Sequence, residues 1–188
     1  MCGSMPIYRC ESNGVASKTA DERSWASVLQ ATHTLVPIGD YMVSLWLHTK
    51  EDPPKEQFAN AIEEIAAKNL TALQLRNLVI SDGGAPDTAQ RKLLIERAWR
   101  KRPMKLAVVT TVLDNPLKRG VATALSWLNP NIHFFRPELF RDALAHIDLA
   151  PHAREVWDAY AKLQAQMKPI ANLRMVGEAM GFPKSATL

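Results

Sequence analysis

The sequence predicts an α/β domain in which a mixed, mostly parallel β-sheet of four to six strands carries helices on both faces. Three observations support this prediction. Short apolar runs alternate with amphipathic segments from residue 41 to residue 149, turn-forming residues separate them, and apolar residues make up 47% of the 188-residue chain. Such alternation requires right-handed crossovers and places neighbouring strands in parallel. We assign residues 1–150 to the α/β domain, with an N-terminal strand extension, and residues 151–188 to a C-terminal helical extension.

The strands are predicted from period and composition. Residues 41–48 alternate with a period of two and contain aromatic side chains, which is typical of a strand. Two short apolar runs suit buried strands, residues 78–80 and 106–109, and residues 132–135 predict a further short strand. Residues 25–36 fit a strand or a helix. If they form a strand, the turn Pro37-Ile38-Gly39-Asp40 makes a hairpin and adds an antiparallel strand.

Amphipathic segments between the strands predict helices. Apolar residues recur at helical spacing over residues 55–68, and Asp87 with Gln90 resembles the capping box of a second helix. A stripe after Pro116 predicts a third helix, whose apolar residues are Leu117, Val121, Ala124, Leu125 and Leu128. We expect Val121, Leu125 and Leu128 to be buried against the sheet. Pro137 opens a fourth helix.

The last segment lies beyond the alternating unit. Pro151 opens a long helix with one apolar face, formed by Val156, Tyr160, Leu163 and Met167, and residues 170–180 predict a further short helix. Such a face can cover the core of its own chain or a second copy. Because residues 25–36 are apolar as well, we expect self-association as a homodimer.

Composition narrows the range of partners and locations. The net charge of +4 permits nucleic-acid binding without implying it, and the densest basic cluster, Arg97, Arg100, Lys101, Arg102 and Lys105 beside Trp99, also fits a solvated helix end. We therefore do not favour nucleic acid. No apolar stretch approaches a membrane span of about 20 residues. With two cysteines, Cys2 and Cys10, and no secretory segment, we expect the cytoplasm, although a small disulfide hairpin stays open.

Motifs that carry chemistry are missing from the sequence. The five histidines show no metal-ligand spacing, and there is no C-x-x-C, no G-x-S-x-G elbow and no glycine-rich phosphate loop. We therefore expect no enzyme activity, no catalytic residue, no metal and no cofactor. A triad assembled across the fold is the alternative that a sequence does not reveal.

A polar group of residues follows two of the predicted strands. Parallel sheets bind ligands beyond the carboxyl ends of their strands, where helix starts also carry a partial positive charge. We predict a partner- or anion-binding site there, formed by Asp82, Gly83, Gly84, Thr88, Thr111 and Asp114. The alternative interpretation is that these residues serve turns and helix caps.

Several motifs within residues 40–149 carry a family resemblance. They are Asn77-Leu78-Val79-Ile80 before a turn, Leu106-Ala107-Val108-Val109, Phe134-Phe135 before Glu138-Leu139-Phe140, and, most specific, residues 117–125 with Arg119-Gly120-Val121-Ala122-Thr123. With these motifs and this order of elements the chain resembles STAS-like domains, named after sulfate transporters and anti-sigma-factor antagonists. Among these domains, it resembles uncharacterised myxobacterial-type members.

The resemblance implies a non-catalytic regulatory module that binds another protein or peptide. Antagonists of the family are switched by phosphorylation of a serine in an Asp-Ser-Ser-Gly-like turn after the strand that matches residues 75–81. Here the turn reads Ser81-Asp82-Gly83-Gly84-Ala85-Pro86-Asp87-Thr88, without the Asp-Ser order. The alternative function is a ligand- or peptide-binding accessory protein of a biosynthetic pathway. A deep apolar pocket would favour this alternative, and a flat apolar face would favour the regulatory module.

Overall fold

A computed structural model describes residues 31–71, 73–99, 104–112 and 129–182. Within these ranges five strands form one sheet in the order β1-β2-β3-β4-β5. The strands are β1 (Ala31–Ile38), β2 (Tyr41–His48), β3 (Leu75–Ser81), β4 (Lys105–Val109) and β5 (Ile132–Phe135). β1 and β2 are antiparallel, and β2 to β5 are parallel. The predicted α/β fold with a mixed, mostly parallel sheet is therefore confirmed.

The first two strands form a tight hairpin. Ile38 pairs with Tyr41 across a turn in which Gly39 has a φ of 55°. Glycine adopts this left-handed conformation without steric cost. A Cβ atom at Gly39 would also collide with the ring of His152. Of the two alternatives for residues 25–36, the part from residue 31 onward is a strand.

Helices cover both faces of the sheet. One face carries α1 (Lys55–Ala67) and α2 (Thr88–Leu94), and the other carries α3 (Phe140–His146), α4 (Ala153–Gln164) and α5 (Ala171–Met180). A π-helical turn (Ile95–Trp99) continues α2, and 3-10 turns (Pro137–Leu139 and Ala150–His152) precede α3 and α4. None of the described helices has the length and apolar character needed to cross a membrane. The predicted third helix with Val121, Leu125 and Leu128 lies outside the described residues, as do Asp114 and the basic run 100–102.

The predicted capping box at the start of α2 is present. The Asp87 carboxylate accepts a hydrogen bond from the Gln90 amide at 2.8 Å, and the Gln90 side chain accepts one from the Asp87 amide at 2.8 Å. The Gln90 Nε2 also donates to the Pro53 carbonyl at 2.8 Å. Gln90 therefore both caps α2 and holds it against the chain that enters α1.

The pleat of the strands divides the core between the two faces. Val43, Leu45 and Leu47 of β2 point toward α3, α4 and α5 and belong to the larger apolar cluster. Trp46 points the other way. It belongs to a second cluster on the α1 and α2 side, formed by Trp46, Phe58, Ala61, Ile62, Ile65, Leu75, Ala98 and Met104.

The C-terminal segment packs on the sheet of its own chain. Val156, Tyr160 and Leu163 of α4 are buried in the larger cluster, and the Tyr160 hydroxyl donates to the Leu78 carbonyl at 2.8 Å. Of the two alternatives for this face, covering the parent core is the one found. The homodimer stays a prediction. Because the apolar face of α4 packs on its own chain, this face no longer supports that prediction.

An acidic side chain fixes α5 to the carboxyl edge of the sheet. The two carboxylate oxygens of Asp82 accept from the backbone amides of Ala171 at 2.7 Å and Asn172 at 2.8 Å. First-turn amides have no partner within their own helix, so Asp82 satisfies two of them from outside. The Asn172 side chain returns a bond to the Ser81 carbonyl at 2.6 Å.

Buried charge ties the opposite edge of the sheet to the chain after α3. The Arg76 guanidinium donates to the Ile147 carbonyl at 3.0 Å and to Asp148 at 2.8 Å, and lies 4.0 Å from the Tyr41 ring centre. Lys105 also donates to Asp148 at 2.8 Å. These bonds from Lys105 and Arg76 lower the pKa of the Asp148 carboxyl. Lys105, a member of the predicted basic cluster, is therefore engaged within the chain.

We predict that Asp82→Ala lowers the free energy of unfolding by about 1–3 kcal/mol, because two amides of α5 lose a charged acceptor. Urea denaturation followed by circular dichroism measures this change. The control is Asp158→Ala, whose carboxylate forms an exposed pair with Arg154 at 3.1 Å and should change stability by less than about 0.5 kcal/mol. Equal effects of the two substitutions would show that Asp82 does not hold α5.

Candidate functional site

A cleft of about 500 Å³ lies on the α1 and α2 side of the sheet. Its floor is formed by the sheet, and one apolar row crosses four strands in its middle, because Trp46 pairs with Val79, Val79 with Val108, and Val108 with Phe134. Val79, Val108 and Phe134 are only partly buried. Parallel strands normally bury both faces, so partial exposure of this row is unusual.

The walls of the cleft are apolar and its rim is charged. Phe58 of α1 and Leu94 of α2 stand at the sides. The charged side chains all lie on the loops at the carboxyl edge or at the start of α2, and they are Lys50, Asp52, Asp87 and Arg91. The Arg91 guanidinium already donates to the Pro86 carbonyl at 2.8 Å and to the Thr88 hydroxyl at 3.0 Å. One end of the cleft is therefore polar, while its centre is apolar.

His48 marks the polar end of the floor. Its side chain lines the cleft, it is 3% exposed, and within the described part of the chain its Nδ1 has no hydrogen-bond partner. Burial lowers the pKa of His48 to about 4, although nearby Asp52 acts in the opposite direction. The ring is therefore neutral at neutral pH, with one nitrogen as donor and the other as acceptor.

Asn77 marks the other end of the floor. It lines the cleft, it is 5% exposed, and its Oδ1 has no partner among the described residues. Its Nδ2 approaches only the Met104 sulfur, at 3.8 Å. Asn77 precedes Ser81 by four residues on β3, and Ser81 pairs with His48. At 3.3 Å per residue, the two unpaired groups are separated by about 13 Å along the strands.

A hydrogen-bonded cluster fixes Trp46 at one end of the apolar row. The Trp46 Nε1 donates to the Ser44 hydroxyl at 2.8 Å, and the His33 Nε2 lies 3.1 Å from the same oxygen. Burial, and to a smaller extent the nearby His48, lowers the pKa of His33 to about 4. The 3.7 Å approach of His33 to Glu64 is therefore not an ion pair at neutral pH.

A smaller cavity of about 280 Å³ lies on the other side of Trp46 and Phe58. It is bounded by α1 and by β1, which contributes Thr32 and His33. Gln57 lines it, and the Gln57 Oε1 is buried without a partner in the described structure. Two aromatic side chains thus separate two cavities, each with an unsatisfied polar atom in its wall.

The loop after β3 is clamped to the loop after β2. The Asp82 amide donates to the His48 carbonyl at 3.0 Å, and the Gly84 amide donates to the Thr49 carbonyl at 2.8 Å. The Ser81 hydroxyl donates to the Gly84 carbonyl at 2.8 Å. A Cβ atom at Gly84 would collide with the carbonyl oxygens of Glu51 and Thr49, so only glycine permits this approach.

The structure brings together some of the predicted site residues. Gly83 and Gly84 line the cleft, whereas the Asp82 carboxylate is bound to α5. Thr88 is exposed and bonded to Arg91, Thr111 lies after β4 outside the cleft lining, and Asp114 lies outside the described residues. Partner or anion binding by this group stays a prediction.

Neither His48 nor Asn77 is among the predicted site residues. A signal for Asn77 exists, because asparagine is depleted in strands and this one interrupts the run Leu75-Arg-Asn-Leu-Val-Ile-Ser81. Position at the end of β2 is the corresponding signal for His48. Neither signal indicates which of the two faces of the sheet would remain partly open.

Neither metal-ligand groups nor similar proteins assign a function to the cleft. Across residues 31–71, 73–99, 104–112 and 129–182, no group of three or more His, Cys, Asp or Glu side chains could hold a metal ion. Comparison with protein-family models, with curated proteins and with solved structures gives no match. The STAS-like resemblance therefore stays a prediction from sequence motifs.

We predict that Asn77→Leu raises the free energy of unfolding, or leaves it unchanged, since it removes an unsatisfied buried acceptor that costs about 1–3 kcal/mol. The matched control is Asn172→Leu, which breaks the bond to Ser81 and should lower stability by about 1–3 kcal/mol. Thermal and urea denaturation compare the two variants. Equal losses in both would show that Asn77 is satisfied in the native protein.

A second prediction concerns acid. Since His33 and His48 have lowered pKa values in the folded protein, the unfolded chain binds more protons below pH 6.5. Stability should therefore be complete above about pH 6.5 and fall toward pH 4, by up to about 1.4 kcal/mol per pH unit for each histidine. Urea denaturation at pH 7, 6 and 5 measures the slope. His48→Gln should flatten it, and the control Asn60→Gln, at an exposed residue without an ionisable side chain, should not; identical slopes in both variants would contradict the prediction.

Proposed function

We propose that the protein is a binding protein for a small, mostly apolar molecule, which occupies the cleft above β2 to β5. One observation carries this proposal. Two buried polar atoms without partners among the described residues, on His48 and Asn77, lie on opposite sides of a partly exposed apolar row in the same cleft. The volume of about 500 Å³ is in the range of about 300–1,000 Å³ that is typical of ligand sites.

The energetics of the cleft lining support binding of a ligand. A buried donor or acceptor without a partner costs about 1–3 kcal/mol. Because Val79, Val108 and Phe134 are only partly buried, their exposed apolar surface does not contribute the stabilisation of about 25 cal/mol for each Å² that removal from water would give. A molecule with an apolar body and polar ends would offset both costs together.

The shape of the site bears on the choice between the two predicted functions. The cleft is concave, and it is lined by Trp46, Phe58 and Phe134 together with aliphatic side chains. Concave apolar sites with few polar groups are typical of small-molecule binding, whereas flat apolar patches are typical of protein docking. The cleft therefore favours the ligand-binding alternative. Docking of another protein, implied by the STAS-like resemblance, stays a prediction.

N-phenyl-1-naphthylamine, a neutral fluorophore that brightens in apolar sites, tests the proposal. We expect saturable binding with a stoichiometry of one. Val108→Trp should weaken it about ten-fold or more, which corresponds to about 1.4 kcal/mol, because the indole fills the floor of the cleft.

The control for this experiment is Val36→Trp. Val36 is also partly buried, but it packs against the larger cluster on the opposite face of the sheet. Binding that both variants weaken equally, or that is absent from the wild-type protein, would overturn the proposed function.

A further inference from the structure

The two ends of the cleft differ in what they can accept. Around Asn77 the lining side chains are apolar, and Leu106 and Ile132 follow it across the sheet in register. The nearby Ser44 hydroxyl is already bonded to Trp46 and His33. Among the described residues the Asn77 Oδ1 is therefore a lone acceptor in apolar surroundings, and it requires a hydrogen-bond donor.

Charge separates the two ends further. The charged residues among the described lining, Lys50, Asp52, Asp87 and Arg91, lie on the loops at the carboxyl edge or at the start of α2, whereas Asn77 lies four residues before the end of β3. A charged group placed beside Asn77 would lose its hydration without gaining a counter-charge from the described lining residues, which is costly. A carboxylate would in addition face the Asn77 oxygen. The end at Asn77 therefore rejects charge of either sign, while the rim tolerates it.

His48 is less selective than Asn77. A neutral imidazole presents its Nδ1 as donor or acceptor according to the tautomer, so it can meet a hydroxyl, a carbonyl or an amide. The spacing of about 13 Å between the two groups fits an elongated molecule that spans the apolar row. Asn77 therefore determines which chemical group of the ligand can bind at the inner end of the cleft.

From this asymmetry we infer that the ligand is an uncharged, elongated molecule that enters with a hydroxyl or amide N–H first and donates this hydrogen to the Asn77 Oδ1. The inference rests on the proposed ligand-binding function and specifies the chemical class of its ligand. The class comprises neutral alcohols, phenols and amides with an apolar body, and it excludes carboxylic acids that would carry their charge inward.

Three naphthalene probes that differ in one substituent test the inference. They are 2-naphthol, which has a donor, 2-methoxynaphthalene, which has none, and 2-naphthoate, which is an anion. Their affinities are measured at pH 7 by displacement of N-phenyl-1-naphthylamine. We expect 2-naphthol to bind about five- to ten-fold more tightly than the methyl ether, as one hydrogen bond provides. We expect 2-naphthoate to bind more than about ten-fold more weakly than 2-naphthol, because its charge would be buried without a partner.

Variants assign the preference to one side chain. Asn77→Leu should reduce the ratio of the naphthol and ether affinities to about one, whereas Asn60→Leu, at an exposed asparagine of α1, should leave the ratio unchanged. In the wild-type protein, the side-chain amide NMR signals of Asn77 should shift with 2-naphthol and not with the ether. This second readout needs no folded variant.

The outcomes separate this inference from the proposed function. Failure of all the probes, including N-phenyl-1-naphthylamine, overturns the function and the inference together. Binding of the fluorophore with no preference for 2-naphthol, with equal affinity for 2-naphthoate, or with a preference that survives Asn77→Leu, overturns the assignment of the donor to Asn77 and leaves the function standing.

Discussion

A parallel sheet must be covered on both faces, and the rest of this structure depends on how the chain meets that requirement. The helices α3, α4 and α5 cover one face and bury Val43, Leu45 and Leu47 of β2. On the other face α1 and α2 cover β2 and the start of β3, while Val79, Val108 and Phe134 stay partly exposed. Among the described helices the cover is therefore unequal, and the cleft lies where the second face is partly exposed.

Ser81 and Asp82 each form hydrogen bonds both at the rim of the cleft and with α5 on the opposite face of the sheet. The Ser81 side chain holds the glycine loop at the rim of the cleft, while its carbonyl receives the side chain of Asn172 from α5. The Asp82 amide is bonded to the His48 carbonyl, and its carboxylate is bonded to the first turn of α5. Substitution of Asp82 would therefore weaken the support of the cleft rim as well as that of α5. A loss of binding in such a variant has to be compared with its loss of stability.

Local patterns were sufficient to predict the elements, but they could not predict the site. The period of residues 41–48, the apolar run before Ser81 and the capping box at Asp87 are each contained in a few neighbouring residues, and each is found as predicted. The segment before Gly39 fitted a strand or a helix, and only its pairing with β2 in the hairpin decides for a strand. The role of Asp82 depends on amides about 90 residues later, and the apolar row of the cleft depends on register across four strands. No local pattern encodes such contacts.

The unsatisfied polar atoms are not a general feature of this core. Buried Arg76 donates to the backbone and to Asp148, and buried Asn172 bonds to Ser81, so both of these buried polar side chains are paired. The buried side-chain atoms without partners in the described structure are on His48, Gln57, Asn77 and Asn129. Three of these four residues line a cavity, with His48 and Asn77 in the cleft and Gln57 in the smaller cavity beyond Trp46 and Phe58. The cost of unpaired groups is thus concentrated where a bound molecule could offset it, which is the pattern expected when stability is given up for binding.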